Sequence, residues 1–153
     1  MTYCYTLLLK TVSDITHIID NIYLGNFESA NDHKIIKKHK IGVIVRILDT
    51  EMITILKHED TEPDITYHYI DIYDHPGQNI QKFFSSFLKF LKKHKEKNIL
   101  IHCLMGISRS PSFVILHLVK NYQLNLIDAI KYVKKQRPCI KPLKEFIYQI
   151  ADF

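Results

Sequence analysis

A chain of 153 residues, 46% hydrophobic and 24% charged, with four glycines and five prolines, has the size and makeup of one globular domain, which excludes a fibrous or disordered polypeptide. Its three cysteines, Cys4, Cys103 and Cys139, are too few and too scattered for a disulfide framework, and their odd number points to a reducing, cytoplasmic setting. The formal charge of +5 suits phosphorylated substrates, nucleic acid or an acidic membrane surface, but no apolar run approaches the roughly 20 residues of a membrane span, and the opening residues lack the basic start of a secretory signal.

Nine histidines show no pairing at zinc-site spacing, and His58-Glu59-Asp60 lacks the second histidine of a zincin helix, so no metal is expected. Residues 2–11 read as a short helix with Tyr5, Leu8 and Leu9 on one side. This N-terminal segment, residues 1–12, precedes a domain spanning 13–153. From Ile15 to Leu24 the pattern predicts two short strands broken near Asp20-Asn21 and stopped by Gly25. A helix is expected from about Ser29 to His39.

Ile41 to Leu48 is a β-branched run suited to a parallel strand buried on both faces. Arg46 interrupts it, and nothing in the sequence indicates what it pairs with. Asp49 to Asp64 is polar, with room for a short helical turn over Met52 to Leu56. Ile65 to Ile72 predicts another strand, and Tyr73 to Asn79 a loop carrying Asp74, His75, Pro76 and Gly77. Asn79 is placed to cap a helix in which Ile80, Phe83, Phe84, Phe87, Leu88 and Leu91 share a core-facing side. That helix is expected to end near Lys97. Lys92, Lys93, Lys95 and Lys97 complement its dipole, and no aromatic and basic interleaving of an RNA-binding kind accompanies them, so no nucleic-acid partner is expected.

Ile99 to Ser112 predicts a buried strand, a tight loop and a helix. Farther on, Asn125 with Asp128 forms a capping box for another helix, which Pro138 ends; Pro142 opens the last, with Leu143, Phe146, Ile147 and Ile150 on one face. Strands alternating with helices predict an α/β fold with a central, mostly parallel sheet of four to five strands flanked by helices. Active sites of such sheets lie at the C-terminal ends of the strands, where Cys103 falls.

The loop after Ile101 has the makings of a phosphate cradle. The first turn of a helix leaves N–H groups unpaired, and a loop curled into it aims several donors at one anion. Gly106 permits the curl, Pro111 suits the first helical position, and Arg109 can grip two phosphate oxygens at once. The candidate phosphate-binding residues are therefore Leu104, Met105, Gly106, Ile107, Ser108 and Arg109. In that setting Cys103 is expected to ionise readily and act as nucleophile. A phosphomonoester leaving group also needs a proton from an acid on another loop. Asp74, after a strand expected to neighbour the Cys103 strand, is preferred to Asp71, whose strand-end position suits a structural carboxylate.

His102-Cys103-Leu104-Met105-Gly106-Ile107-Ser108-Arg109-Ser110 closely resembles the signature of cysteine-dependent protein phosphatases, most of all the dual-specificity branch. Tyr23-Leu24-Gly25-Asn26 resembles the opening of many such domains, and Asp74-His75-x-x-Gln78-Asn79-Ile80 the acid loop of the mitogen-activated-kinase phosphatase group. The resemblance covers about Asp14 to Phe153. It implies a protein-tyrosine-phosphatase-like fold and hydrolysis of phosphotyrosine and phosphoserine or phosphothreonine through a cysteinyl-phosphate intermediate. No cofactor is implied. Asp74 would serve as acid and then base, and Ser110 would stabilise the departing thiolate, although a helix N-cap serine fits the same residue. His102 is expected to brace the loop by hydrogen bonds, and Ser108 to act as scaffold.

Three positions depart from the family pattern: Arg46, where asparagine is frequent; Met105, where small residues are usual; and Lys141-Pro142-Leu143, where serine-proline-asparagine is common. The compact poxvirus-type enzymes share the shortness and a leucine-rich start like Leu7-Leu8-Leu9-Lys10. That closer resemblance implies a homodimer built by exchange of the N-terminal segment. It also widens the expected location from the cytoplasm to a host cytoplasm or virion, with the nucleus open. Phosphoinositide and RNA 5′-triphosphate substrates stay open as alternatives, although Leu104, Met105 and Ile107 bring no lysine to the loop. A non-catalytic pseudophosphatase that binds phosphoproteins is the alternative outside enzymes.

Overall fold

The structure is a computed structural model and describes residues 14–153. The helix expected over residues 2–11, the N-terminal segment and Cys4 lie outside the described residues. Five strands form the sheet: β1 (Ile15–Ile19), β2 (Ile22–Gly25), β3 (Ile41–Leu48), β4 (Thr66–Asp71) and β5 (Asn98–His102). Their order is β1-β2-β5-β3-β4, with β1 and β2 antiparallel and every other neighbouring pair parallel. The turn at Asp20, with φ at 45°, reverses the chain between β1 and β2, as the break in the apolar pattern there predicts.

Helices cover both faces. On one lie α1 (Phe27–Ala30), α2 (His33–Lys38) and α3 (Thr50–Glu59); on the other lie α4 (Phe84–Lys93), α5 (Arg109–Asn121), α6 (Leu126–Gln136) and α7 (Lys144–Ala151). The two-residue period of β3 explains the division. Val43, Val45 and Ile47 enter the larger core with Phe84, Phe87, Phe113 and Phe146, whereas Ile44 joins Ile36 and Leu100 in a smaller one, and Leu48 joins Ile53 and Leu56. Helix α5 is the central post of the larger core, and every residue from Arg109 to Leu118 is buried. Phe113 meets Phe87 and Phe84 edge to face, with ring centroids 5.0 and 5.6 Å apart.

Several expected elements differ in detail. The helix expected from Ser29 to His39 is two helices, because Asp32 accepts from the backbone N–H of Lys34 (3.0 Å) and Ile35 (3.3 Å) and starts α2 afresh. The short turn expected at Met52 to Leu56 is the full helix α3, capped by Asp49 through Met52 N–H at 3.2 Å. Its buried residues are Ile53 and Leu56, three apart, and the exposed Ile55 beside them blurs the period that would have marked a helix.

Asn79 Oδ1 accepts from Lys82 N–H at 3.3 Å, but the N-cap position falls to Ile80, and what opens there is a 3₁₀ helix, Gln81–Phe83, that leads into α4. Helix α4 stops at Lys93, and Lys95 and Lys97 lie in the turn beyond it. Pro111 is the third residue of α5, not the first. A missing N–H still costs nothing there, because the first four N–H groups of a helix lack intrahelical partners. Finally, β4 pairs with β3 and sits at the sheet edge, one strand removed from β5, so Asp74 does not follow a strand adjacent to the one that carries Cys103.

Candidate active site

Cys103 stands where β5 ends, and α5 begins six residues later. The intervening loop turns tightly at Gly106, whose φ of +67° lies in the left-handed region. No side chain fits there: an added Cβ would sit 2.6 Å from the Gly25 carbonyl oxygen and 2.6 Å from Arg137 Nη2. The curl brings Gly106 N–H within 3.3 Å of Cys103 Sγ, and the Ser110 hydroxyl donates to the same sulfur at 3.0 Å. Two donors thus converge on one thiol that is 3% exposed.

Ser108, not Ser110, occupies the N-cap position of α5 and makes no side-chain cap. Ser110 is the second helical residue and its hydroxyl is spent on the sulfur. Ser108 is built into the scaffold. Its Oγ accepts from Leu143 N–H at 3.1 Å, and its carbonyl accepts from Ser112 N–H at 3.1 Å and from the Ser112 hydroxyl at 2.8 Å. The unusual Lys141-Pro142-Leu143 stretch therefore buttresses the loop through its backbone, helped by Lys141 N–H donating to the Ile107 carbonyl at 2.7 Å.

Arg109 is buried, and its Nη1 donates to the carbonyl of Ile72 at 3.1 Å. That bond ties the head of α5 to the chain just past β4, two residues ahead of Asp74. Asp74 itself is exposed on the 73–79 loop. Among the described residues no hydrogen bond joins it to Cys103 or Arg109. The loop is closed on itself by Tyr73 N–H to Gln78 Oε1 (2.9 Å) and Gln78 N–H to the His75 carbonyl (3.0 Å). Asp71 accepts from the Thr50 hydroxyl at 2.9 and 2.8 Å, a structural pairing across β4 and α3. Of the remaining loop residues, Leu104 is exposed, and Met105 and Ile107 are half-buried.

His102 is fully buried, and its Nδ1 lies 2.9 Å from the Cys103 carbonyl oxygen. Burial, reinforced by the nearby Arg46 charge, pushes its pKa down to about 3, so the ring is neutral. Its part is that of a brace within hydrogen-bond reach of the main chain.

Three residues important to this architecture escaped sequence reading. Arg137 fastens the loop from behind. Its Nε donates to the Gly106 carbonyl at 2.9 Å and its Nη2 to the Met105 carbonyl at 3.2 Å, while both Nη groups reach the Asp14 carboxylate at 2.9 and 2.7 Å. Gln149, on the last helix, accepts from Ile80 N–H at 2.7 Å and Gln81 N–H at 3.0 Å and donates to the Gln78 carbonyl at 2.9 Å. It thereby pins the far end of the 73–79 loop. Asp60 is the partner that Arg46 lacked in sequence, at 2.7 Å across 14 residues. Only Arg46 carried a signal, as a charge inside an apolar run.

A family model described as dual specificity phosphatase, catalytic domain, matches residues 22–153. Dual specificity protein phosphatase 22-B of Danio rerio is 32% identical over 141 residues, which cover 91% of this chain and 73% of that protein. Protein phosphatase Slingshot of Drosophila melanogaster and human dual specificity protein phosphatase 7 are each 30% identical, over 90% and 89% of this chain but only 13% and 32% of their own lengths. The chain thus spans a third or less of those two relatives. Among solved structures, DUSP15 superposes with a TM-score of 0.77 at 30% identity, covering 91% of this chain and 86% of that one. The human tyrosine phosphatase-like serine/threonine/tyrosine-interacting protein superposes with a TM-score of 0.78 at 28% identity, covering 90% and 93%.

Proposed function

The chain belongs to the family of dual specificity phosphatase catalytic domains, and from that premise we propose that it hydrolyses phosphotyrosine and phosphoserine or phosphothreonine in protein substrates through a cysteinyl-phosphate intermediate. The observation that carries the reading is the pair of donors on Cys103 Sγ, Gly106 N–H and the Ser110 hydroxyl, at the head of a buried helix. Donors aimed at the sulfur in this way can take up the negative charge that develops on it when its bond to phosphorus breaks.

In the first step the Cys103 sulfur bonds to phosphorus as the phosphorus–oxygen ester bond breaks, and Asp74 gives its proton to the departing oxygen. In the second, Asp74 as carboxylate takes a proton from water, the water oxygen bonds to phosphorus, and the sulfur–phosphorus bond breaks. The Ser110 hydroxyl, already directed at the sulfur, stabilises the thiolate that leaves. The backbone N–H groups of residues 104–109 and the guanidinium of Arg109 hold the equatorial oxygens through both steps, the electrostatic preorganisation that a loose phosphoryl transfer needs.

Phosphate release from a small aryl phosphate tests this. Cys103→Ser should lower kcat by at least about a thousandfold and Asp74→Asn by roughly a hundredfold. Equal rates for wild type and Cys103→Ser would eliminate the cysteine mechanism.

The same reading takes residues 13–153 as the catalytic domain, acting in the cytoplasm, and residues 1–12 as a segment exchanged in a homodimer, supported by resemblance to the compact poxvirus-type enzymes. A monomeric mass by light scattering would refute the exchange. Among the described residues no helix is long and apolar enough to cross a membrane.

A further inference from the structure

The charge inside β3 leads to an arrangement that the phosphatase reading does not use. Arg46 is 1% exposed and stands in register with His102 of β5 on one side and Tyr69 of β4 on the other. All three side chains leave the sheet on the face opposite the larger core. Asp60, just past the end of α3, receives Arg46 as a two-pronged fork, Nε to Oδ2 at 2.8 Å and Nη2 to Oδ1 at 2.7 Å. The Tyr69 hydroxyl donates to the same carboxylate at 2.7 Å, and Asn31 Oδ1 accepts a further bond from Nη2 at 3.1 Å. Tyr67 supplies an aromatic face 5.4 Å from the guanidinium carbon.

The remaining nitrogen, Nη1, lies 3.1 Å from His102 Nε2. A guanidinium has donors and no acceptor, so Nε2 must be the bare, accepting nitrogen. The neutral ring then carries its proton on Nδ1, which donates to the Cys103 carbonyl at 2.9 Å. We propose that Arg46, locked by Asp60, is a positioning residue: it selects the His102 tautomer that clamps the Cys103 carbonyl and so sets the direction of the Cys103 sulfur beneath its two donors.

The alternatives available to the ring show why this matters. Without a donor at Nε2 the neutral ring keeps only the Cys103 carbonyl to fix its proton, and in the other tautomer Nδ1 presents a lone pair to that carbonyl and repels it. The Arg46 charge also opposes protonation of the ring, in the same direction as burial. Asp60 and Tyr69 hold the guanidinium in the one orientation that leaves Nη1 for His102. A bidentate fork achieves that where a lysine would not.

The inference rests on Cys103 being the nucleophile, and its test separates the two. In the full chain with ¹⁵N-labelled histidine, the nitrogen spectrum of His102 should show a protonated Nδ1 and a bare Nε2 at neutral pH. The double variant Arg46→Met with Asp60→Asn removes both charges together, so no unpaired ion is left buried. It should lose the fixed tautomer, and its kcat on an aryl phosphate should fall by about tenfold or more while KM moves by less than about twofold. A protonated Nε2 in the wild type overturns the proposal, whether or not the variant folds. So does a folded double variant with unchanged kcat and tautomer. Absence of turnover in the wild type would instead sink the phosphatase reading, and the spectrum would still decide whether Arg46 sets the ring.

Discussion

Each residue around the sulfur works through a bond whose loss has a separate signature. In the proposed mechanism, removing the Ser110 hydroxyl takes away a donor to the departing thiolate, a bond of about 1.5–3 kcal/mol. Ser110→Ala should therefore slow breakdown of the phosphoenzyme by roughly ten- to a hundredfold, and rapid-mixing assays should show a burst of aryl alcohol followed by slow turnover. A variant without a burst, and with wild-type kcat, would leave the hydroxyl without a catalytic part. Arg137 is a different case, because it touches no reacting atom and instead donates to two loop carbonyls, the Asp14 carboxylate and the Thr16 hydroxyl. Arg137→Met strands the two carbonyls and the carboxylate. Since Asp14 keeps some access to water, the expected cost is about 3 kcal/mol in denaturant unfolding.

At the scale of elements, the loop is held between three supports: the start of α1 in front, the α6–α7 connection behind and the chain just past β4 to the side. Phe27 N–H donates to the Leu104 carbonyl at 2.9 Å, Lys141 N–H to the Ile107 carbonyl at 2.7 Å, and Arg109 Nη1 to the Ile72 carbonyl at 3.1 Å. The supports leave no slack at Gly106, where the backbone already uses a positive φ and the Gly25 carbonyl blocks a Cβ at 2.6 Å. Gly106→Ala should therefore cost about 2 kcal/mol or more and abolish most aryl phosphate turnover, because only a shift of the loop off its donors relieves the clash. Wild-type turnover and melting temperature in that variant would show that β2 yields instead.

Acid stability belongs to the whole molecule. His102 and His117 are buried neutral, with burial holding their pKa values near 3 and 4 against 6.5 for an open chain. Below about 6.5 the unfolded chain takes up protons that the folded chain refuses, so the unfolded state gains and stability falls as pH drops. Each histidine steepens that fall by about 1.4 kcal/mol per pH unit until its own folded pKa is reached. Urea unfolding followed from pH 6.5 toward pH 4 should show the decline, and His117→Leu should remove its share of the slope. A slope unchanged by that substitution would mean that His117 already titrates normally in the folded chain.

What could be read without coordinates was whatever depends on neighbours in the chain. The β-branched run Ile41–Leu48 marked β3, a strand buried on both faces, and the alternation of strand and helix marked the fold class. The run from His102 to Ser110 marked the tight loop between β5 and α5, because its curl at Gly106 is local backbone geometry. Contacts closed across sequence distance were invisible: Arg137 to Asp14 spans 123 residues, Gln149 to Ile80 spans 69, and Arg46 to His102 spans 56. So was the position of β4 at the sheet edge, since strand order is chosen by packing of helices on both faces and not by the residues of any one strand. The chain alone singled out Cys103 and Arg109, which the fold sets at the two ends of one loop between β5 and α5. Tertiary structure supplied the groups that hold them in place, because a buried polar atom must find its partner wherever the fold happens to bring one.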